Sequence, residues 1–208
     1  MSSAFRRAAL VAALSLGGCT AALAATTTYQ AHIYTQPRSQ GLPVSGPLAD
    51  YVAVARARVV VPTAWTVLKA PAGQLRFRSG NTTCHYTTTF TVVTRRAPTS
   101  DDPTAYVTSA LPAKGSRNVL DTGRHGGAAF RVVRAGGQPQ ALDALWTATL
   151  TRRADVAASG QAVWADIRAH AVAGARDECH SGSWRKTLGP QLGDALATAR
   201  TSLDFKKK

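Results

Sequence analysis

Apolar and polar residues alternate with a period of two along most of this chain, and residues 84–95 show the pattern best. There Cys84, Tyr86, Thr88, Phe90 and Val92 share one face, while His85, Thr87, Thr89, Thr91 and Val93 share the other. The first face is expected to be core. The same alternation predicts strands over residues 29–35, 56–61, 65–70, 75–78, 117–121, 128–134, 142–152 and 161–172. Between them stand Pro62, Pro71-Ala-Gly73, Ser79-Gly80-Asn81, the glycine-rich loop from Gly123 to Gly127, and Gly136-Gly137, all residues that favour turns.

Two segments break the period. Asp102 is a suitable N-cap, Pro103 suits the first helical position, and Tyr106, Val107, Ala110 and Leu111 form one stripe that Pro112 ends. Leu192, Leu196, Ala199 and Leu203 predict a second helix over 190–203, with Lys206, Lys207 and Lys208 placed to complement its C-terminal dipole. The sum is an α+β chain: an antiparallel sheet of about six to nine strands, with a middle helix and a C-terminal helix packed on it and one disulfide.

Residues 1–24 do not belong to that pattern. Arg6 and Arg7 precede an apolar stretch over 8–18, and Ala22-Leu23-Ala24 supplies small residues for cleavage before Ala25, the grammar of a signal peptide. Leu16-Gly17-Gly18-Cys19 also matches a bacterial lipobox, which would make Cys19 a lipid anchor. The apolar segment that follows Cys19 lacks the polar character of a tether and favours cleavage between Ala24 and Ala25. A twin-arginine signal is a third reading, poorly matched by Ala8, Ala9 and Leu10. The apolar run is too short to span a bilayer, which takes about 20 residues. The expected protein is therefore exported, either secreted or periplasmic, or lipid-anchored at the cell envelope. Residues 25–208 are expected to form a single domain.

Either processing route removes Cys19 from the thiol inventory and leaves Cys84 and Cys179, which are expected to pair in an oxidising compartment. Closing a loop of about 95 residues would stabilise the fold by about 4 to 5 kcal/mol in the chain-entropy model. A metal site is the rival, because Cys84-His85 and Cys179-His180 put a histidine directly after each cysteine. Adjacent strand residues point to opposite faces, so Cys84 and His85 converge poorly on one ion, and no metal or cofactor is expected.

A family resemblance rests on Val59-Val60-Val61-Pro62-Thr-Ala-Trp65-Thr-Val67, the helix ending Leu111-Pro112, and Gly126-Gly127-Ala-Ala-Phe130-Arg-Val-Val133. Over residues 56–134 the chain resembles the PsbP/Mog1-like group. That resemblance implies an antiparallel sheet flanked by helices and a secreted or lipid-anchored protein without a known active site. The Cys84 and Cys179 pair departs from it, and no functional residue is carried over.

The chemistry left to read is mostly electrostatic. There are 25 basic and 11 acidic residues, a formal charge of +14, and loss of Arg6 and Arg7 leaves about +12. No run of bases resembles a nucleic-acid arm, so no specific nucleic acid is expected. Signatures for serine hydrolases, zinc proteases, phosphate loops and dinucleotide folds are absent from the sequence. Asp177, His180, Ser181 and Ser183 cluster in sequence, but catalytic triads are assembled by the fold. Gly123-Arg124-His125-Gly126-Gly127 has the composition of an anion-binding loop and equally of a hairpin turn. Trp65, Trp146, Trp164 and Trp184 are expected as packing residues.

Strand alternation also places Arg56, Arg58, Arg76, Arg78, Arg131 and Arg168 on polar faces, beside Asp166, His170 and several threonines. If helices cover only the apolar face, those arginines form a surface for an anionic envelope polymer or lipid headgroups, with membrane contact only if Cys19 is lipidated. The expected function is thus a non-catalytic envelope or secreted binding protein. A secreted hydrolase of unknown substrate is the alternative.

Overall fold

The computed structural model describes residues 27–80, 84–96, 101–136, 141–150, 162–174 and 183–208. Among these residues eleven strands fall into two antiparallel sheets, so the expected single sheet of six to nine strands is corrected. In chain order they are β1 (Tyr29–Thr35), β2 (Leu42–Pro43), β3 (Tyr51–Pro62), β4 (Thr66–Leu68), β5 (Gln74–Gly80), β6 (His85–Arg96), β7 (Val119–His125), β8 (Ala128–Arg134), β9 (Ala141–Thr149), β10 (Val163–Ala173) and β11 (Arg200–Lys207). The larger sheet has the order β4-β5-β6-β10-β9-β8-β7, and the smaller has β1-β3-β11 with β2 also on β3.

The split follows from β3. Its Ala55, Ala57, Val59 and Val61 are fully buried while Arg56 and Arg58 are exposed, a period-two strand with one face against a second layer. That buried face joins Phe77, Phe90, Val92, Phe130, Val132, Trp146 and Ile167 of the larger sheet in one core. Gln36 stitches the layers together, because its Oε1 accepts from Ala55 N at 3.2 Å and Thr94 N at 3.1 Å. A buried side chain with these partners specifies how the sheets align as well as holding them.

Helix α1 (Pro103–Ala110) starts as the residues require, with the Asp102 carboxylate accepting from Thr104 N at 3.0 Å and Ala105 N at 3.2 Å. It does not pack on the core face. Val107 meets Ala129 and Leu145 on the opposite face of the larger sheet. Helix α2 (Ser183–Ala197) fills the core side with Leu188, Leu192, Ala195 and Leu196, an i, i+4 stripe that is fully buried.

The C-terminal expectation is corrected. The helix ends at Ala197, Pro190 lies inside it, and Leu203 and the lysines belong to or follow β11. Thr201, Leu203 and Phe205 lie opposite Ala57, Ala55 and Ala53 of β3, so residues 201–205 follow a period of two that the leucine spacing concealed. A strand here also closes the exposed edge of β3 with eight backbone pairings, which a helix would leave open.

The expected loop from Gly123 to Gly127 is shorter than predicted. Gly123, Arg124 and His125 continue β7, His125 pairs with Ala128, and only Gly126-Gly127 form the turn, with Gly126 at φ +58°.

Candidate functional site

Strand register aligns the outer face of the larger sheet in rows. One row runs Arg131, Leu145, Arg168, Thr91 and Gln74 across β8, β9, β10, β6 and β5; the next runs Val133, Asp143, His170, Thr89 and Arg76. A third places Thr87 beside Arg78. Strands lie about 4.8 Å apart and rise about 3.3 Å per residue, so Arg76 on β5 stands about 10 Å from His170 and about 12 Å from Arg168 on β10, while Arg78, four residues out of register with Arg168, stands about 16 Å from it. Thr87, Thr89 and Thr91 of β6 fill the strip between them. Neither the smaller sheet nor α2 reaches this face, since both belong to the core on the other side.

Four of the six predicted arginines share this sheet face: Arg76, Arg78, Arg131 and Arg168. They do not have equal freedom. Arg131 Nε donates to the Leu111 carbonyl at 3.1 Å, pinning the end of α1. Among the described residues, Arg76, Arg78 and Arg168 form no ion pair with a carboxylate. Arg56 and Arg58 are elsewhere, on the outward face of the smaller sheet, and Arg56 pairs with Asp204 at 3.1 Å. The six arginines therefore make two surfaces, because β3 directs its apolar face at the larger sheet and its arginines away from it.

Asp166 shares the strand alternation of this polar face, yet it is fully buried beneath α1. Its Oδ2 accepts from Arg95 Nε and from the Tyr106 hydroxyl, each at 2.8 Å, and its Oδ1 from Thr147 Oγ1 at 2.7 Å. The Arg95 guanidinium lies 3.5 Å from the centre of the Tyr106 ring and 4.8 Å from that of Trp164. Burial raises the Tyr106 hydroxyl above its ordinary range, with the Asp166 charge and hydrogen bond acting in the same direction and the charges of Arg95 and Arg168 opposing. This cluster anchors α1 and leaves no free group for a ligand. Trp65, Trp146 and Trp164 are buried as expected, while the Trp184 side chain lies outside the described residues.

His170 has a partner that the sequence does not suggest. Its Nδ1 lies 2.7 Å from Asp143 Oδ1, with the two side chains 50% and 37% exposed. The pair sits where two clefts meet. A smaller one of about 320 Å³ is lined by Thr89, Thr91, Arg168 and His170, and a larger one of about 830 Å³ lies between the end of α1 and β8, with Leu111 and Asp143 common to both. Register alone brings Asp143 opposite His170, so only knowledge of which strands are neighbours reveals the pair.

The remaining sequence candidates contribute less. Arg124 pairs loosely with Asp102 at 4.0 Å, and His125 Nε2 lies 3.1 Å from Arg200, which accounts for the basic groups of the glycine-rich hairpin. Cys84 Sγ lies 3.2 Å from the Tyr86 hydroxyl. Cys179, His180, Asp177 and Ser181 lie outside the described residues, as do Cys19, Ala24 and Ala25. Among the described residues, no three His, Cys, Asp or Glu side chains gather as metal ligands, and no helix is long and apolar enough to cross a membrane. Comparison with protein-family models, curated proteins and solved structures gives no match.

Proposed function

We propose that this chain is an exported, non-catalytic envelope or secreted protein that binds an anionic polymer or headgroup on the outer face of its seven-stranded sheet. The observation that carries the reading is the group of Arg76, Arg78 and Arg168, without carboxylate partners among the described residues, set around the hydroxyls of Thr87, Thr89 and Thr91. Arginine forks bind the paired oxygens of phosphate, sulfate or carboxylate, and neighbouring hydroxyls add donors without demanding one geometry. Export rests on residues 1–24, and a Cys84–Cys179 disulfide belongs to the same reading because export leaves these two cysteines as an even pair in an oxidising compartment. The PsbP/Mog1-like resemblance supports a role without catalysis.

A secreted hydrolase is the second reading, favoured by the His170 and Asp143 pair. A general base needs an oriented imidazole, which Asp143 supplies, and a nucleophile or a held water. No hydroxyl or thiol among the described residues hydrogen-bonds His170, and Asp143 is half-buried at the surface and not enclosed with it, so binding is the stronger conclusion.

The test is retention of the mature protein on anionic envelope extracts at low and high salt. Arg76→Ser, Arg78→Ser and Arg168→Ser combined should abolish retention and its salt response. Arg56→Ser with Arg58→Ser, on the other sheet, should leave both unchanged. Normal retention of the first variant would sink the proposal.

A further inference from the structure

The larger cleft differs in character from the threonine strip beside it. Leu111, Pro112, Ala113, Val133 and Ala135 make it apolar, while Lys114, Asn118, Arg134 and Asp143 bring polar groups to it. About 830 Å³ lies within the range of small-molecule sites, and an apolar lining with a few convergent polar groups is their usual make-up.

Its walls are held by hydrogen bonds. The Arg131 guanidinium fixes the Leu111 carbonyl at 3.1 Å, so the chain leaves α1 at a set angle. Gly115 then takes φ +88°, its N–H donates to the Ala113 carbonyl at 2.9 Å, Asn118 N–H donates to the Gly115 carbonyl at 3.1 Å, and the Asn118 amide donates to the Lys114 carbonyl. That series of bonds ties residues 113–118 into one turn. On the other side, Ala135 N–H donates to the Ala141 carbonyl at 2.9 Å and continues the pairing of β8 with β9. A cleft held in this way is organised before a ligand arrives, which lowers the cost of binding.

Charge decides the ligand. Asp143 is engaged with His170 at 2.7 Å, whereas Lys114 and Arg134 form no ion pair among the described residues. With the Asp143 carboxylate counted, the cleft offers apolar surface and one net positive charge, carried by two cations that have no ion-pair partner among the described residues. A small inorganic anion would leave the apolar walls unused, and a neutral hydrocarbon would leave the cations unused.

We infer that this cleft binds a single-chain amphipathic anion, with its apolar body against Leu111, Pro112 and Val133 and its acid group paired with Lys114 and Arg134. The assignment involves different residues from the arginine and threonine strip, so each can fail without the other.

Titration calorimetry of the mature chain with hexanoate, octanoate and decanoate, against inorganic phosphate and decanol, tests it. Affinity should rise about two- to four-fold for each methylene buried. Phosphate should not compete with decanoate, and decanol should bind more weakly. Lys114→Ala with Arg134→Ala should weaken decanoate about ten-fold, the loss of roughly one charge-assisted hydrogen bond. Both residues lie at the surface or half-buried, and a circular dichroism spectrum matching the parent checks that the variant folds. Ala113→Trp should block decanoate by filling the cleft, while the Arg76, Arg78 and Arg168 triple variant should bind it normally. Affinity independent of chain length, unchanged decanoate binding in the Lys114 and Arg134 variant, or loss in the triple variant alone would overturn the assignment.

Discussion

Replacing Asp166 with alanine tests whether a buried ion pair holds α1 to the sheet. The carboxylate is fully buried and accepts three hydrogen bonds, of which the one from Arg95 is an ion pair and the one from Tyr106 is charge-assisted. Removing it leaves the Arg95 guanidinium, only 19% exposed, without its counter-charge. Truncating one member of a buried pair typically costs about 3 to 5 kcal/mol. Tyr106→Phe removes one bond to the carboxylate and keeps the ring under Arg95 and its edge contact with Trp164, so about 1.5 to 3 kcal/mol is expected. Urea unfolding measures both losses as shifts of the midpoint at constant slope. Limited proteolysis in residues 101–112 should accelerate in Asp166→Ala before global unfolding, because α1 meets the larger sheet chiefly through Val107, Tyr106 and this cluster. A loss below about 1 kcal/mol for Asp166→Ala, or equal losses for the two variants, would refute the account.

Three further outcomes follow from individual contacts. Gly80 takes φ +106° and a Cβ there would stand 2.2 Å from the Cys84 carbonyl oxygen, so Gly80→Ala should destabilise the fold by about 1 to 3 kcal/mol in thermal unfolding. Burial lowers the pKa of His32 below its ordinary 6.5, and its Nε2 has no hydrogen-bond partner among the described residues. The unfolded chain then takes up that proton before the folded chain does, so stability should fall as pH drops through about 6.5 and level off below the folded value. His32→Phe should flatten that part of a stability-against-pH series. For the disulfide, alkylation of unfolded mature protein without reductant should add no mass, and reduction first should add two labels.

How much the sequence reveals differs between the local and the tertiary level. Period two located nearly every strand, and β1 and β8 coincide with their predicted ranges, because a half-buried strand writes its environment into alternate residues. The Asp102 cap was equally legible, since its partners lie within the next three residues. The division into two sheets was not, because the arginines of β3 and those of β5 alternate identically and nothing local says which layer each strand joins. Asp166 shows the limit most clearly: its strand position matches that of Arg168 and His170, and only α1, folding over that end of the face, makes it a buried anchor. Leu203 misled for a related reason. Its spacing from Leu192, Leu196 and Ala199 is helical, yet pairing with Ala55 of β3 overrides it.

The open face raises the question of whether the protein needs its ligand to fold. Arg76, Arg78 and Arg168 stand about 7 to 16 Å apart by strand geometry. Two unit charges 10 Å apart in water repel by only about 0.4 kcal/mol, and at physiological salt the screening length of about 8 Å reduces this further. Three such pairs come to about 1 kcal/mol, small beside the cost expected for Asp166→Ala. The sheet can therefore carry the cluster without an anion, and the apo protein should unfold at nearly the same temperature in low and moderate salt. Binding behaves differently, because each bound phosphate or carboxylate meets several of these charges together, and its affinity should fall steeply over the same salt range. A melting temperature that rises several degrees on adding salt alone would show that charge repulsion on this face is much larger than the strand geometry allows.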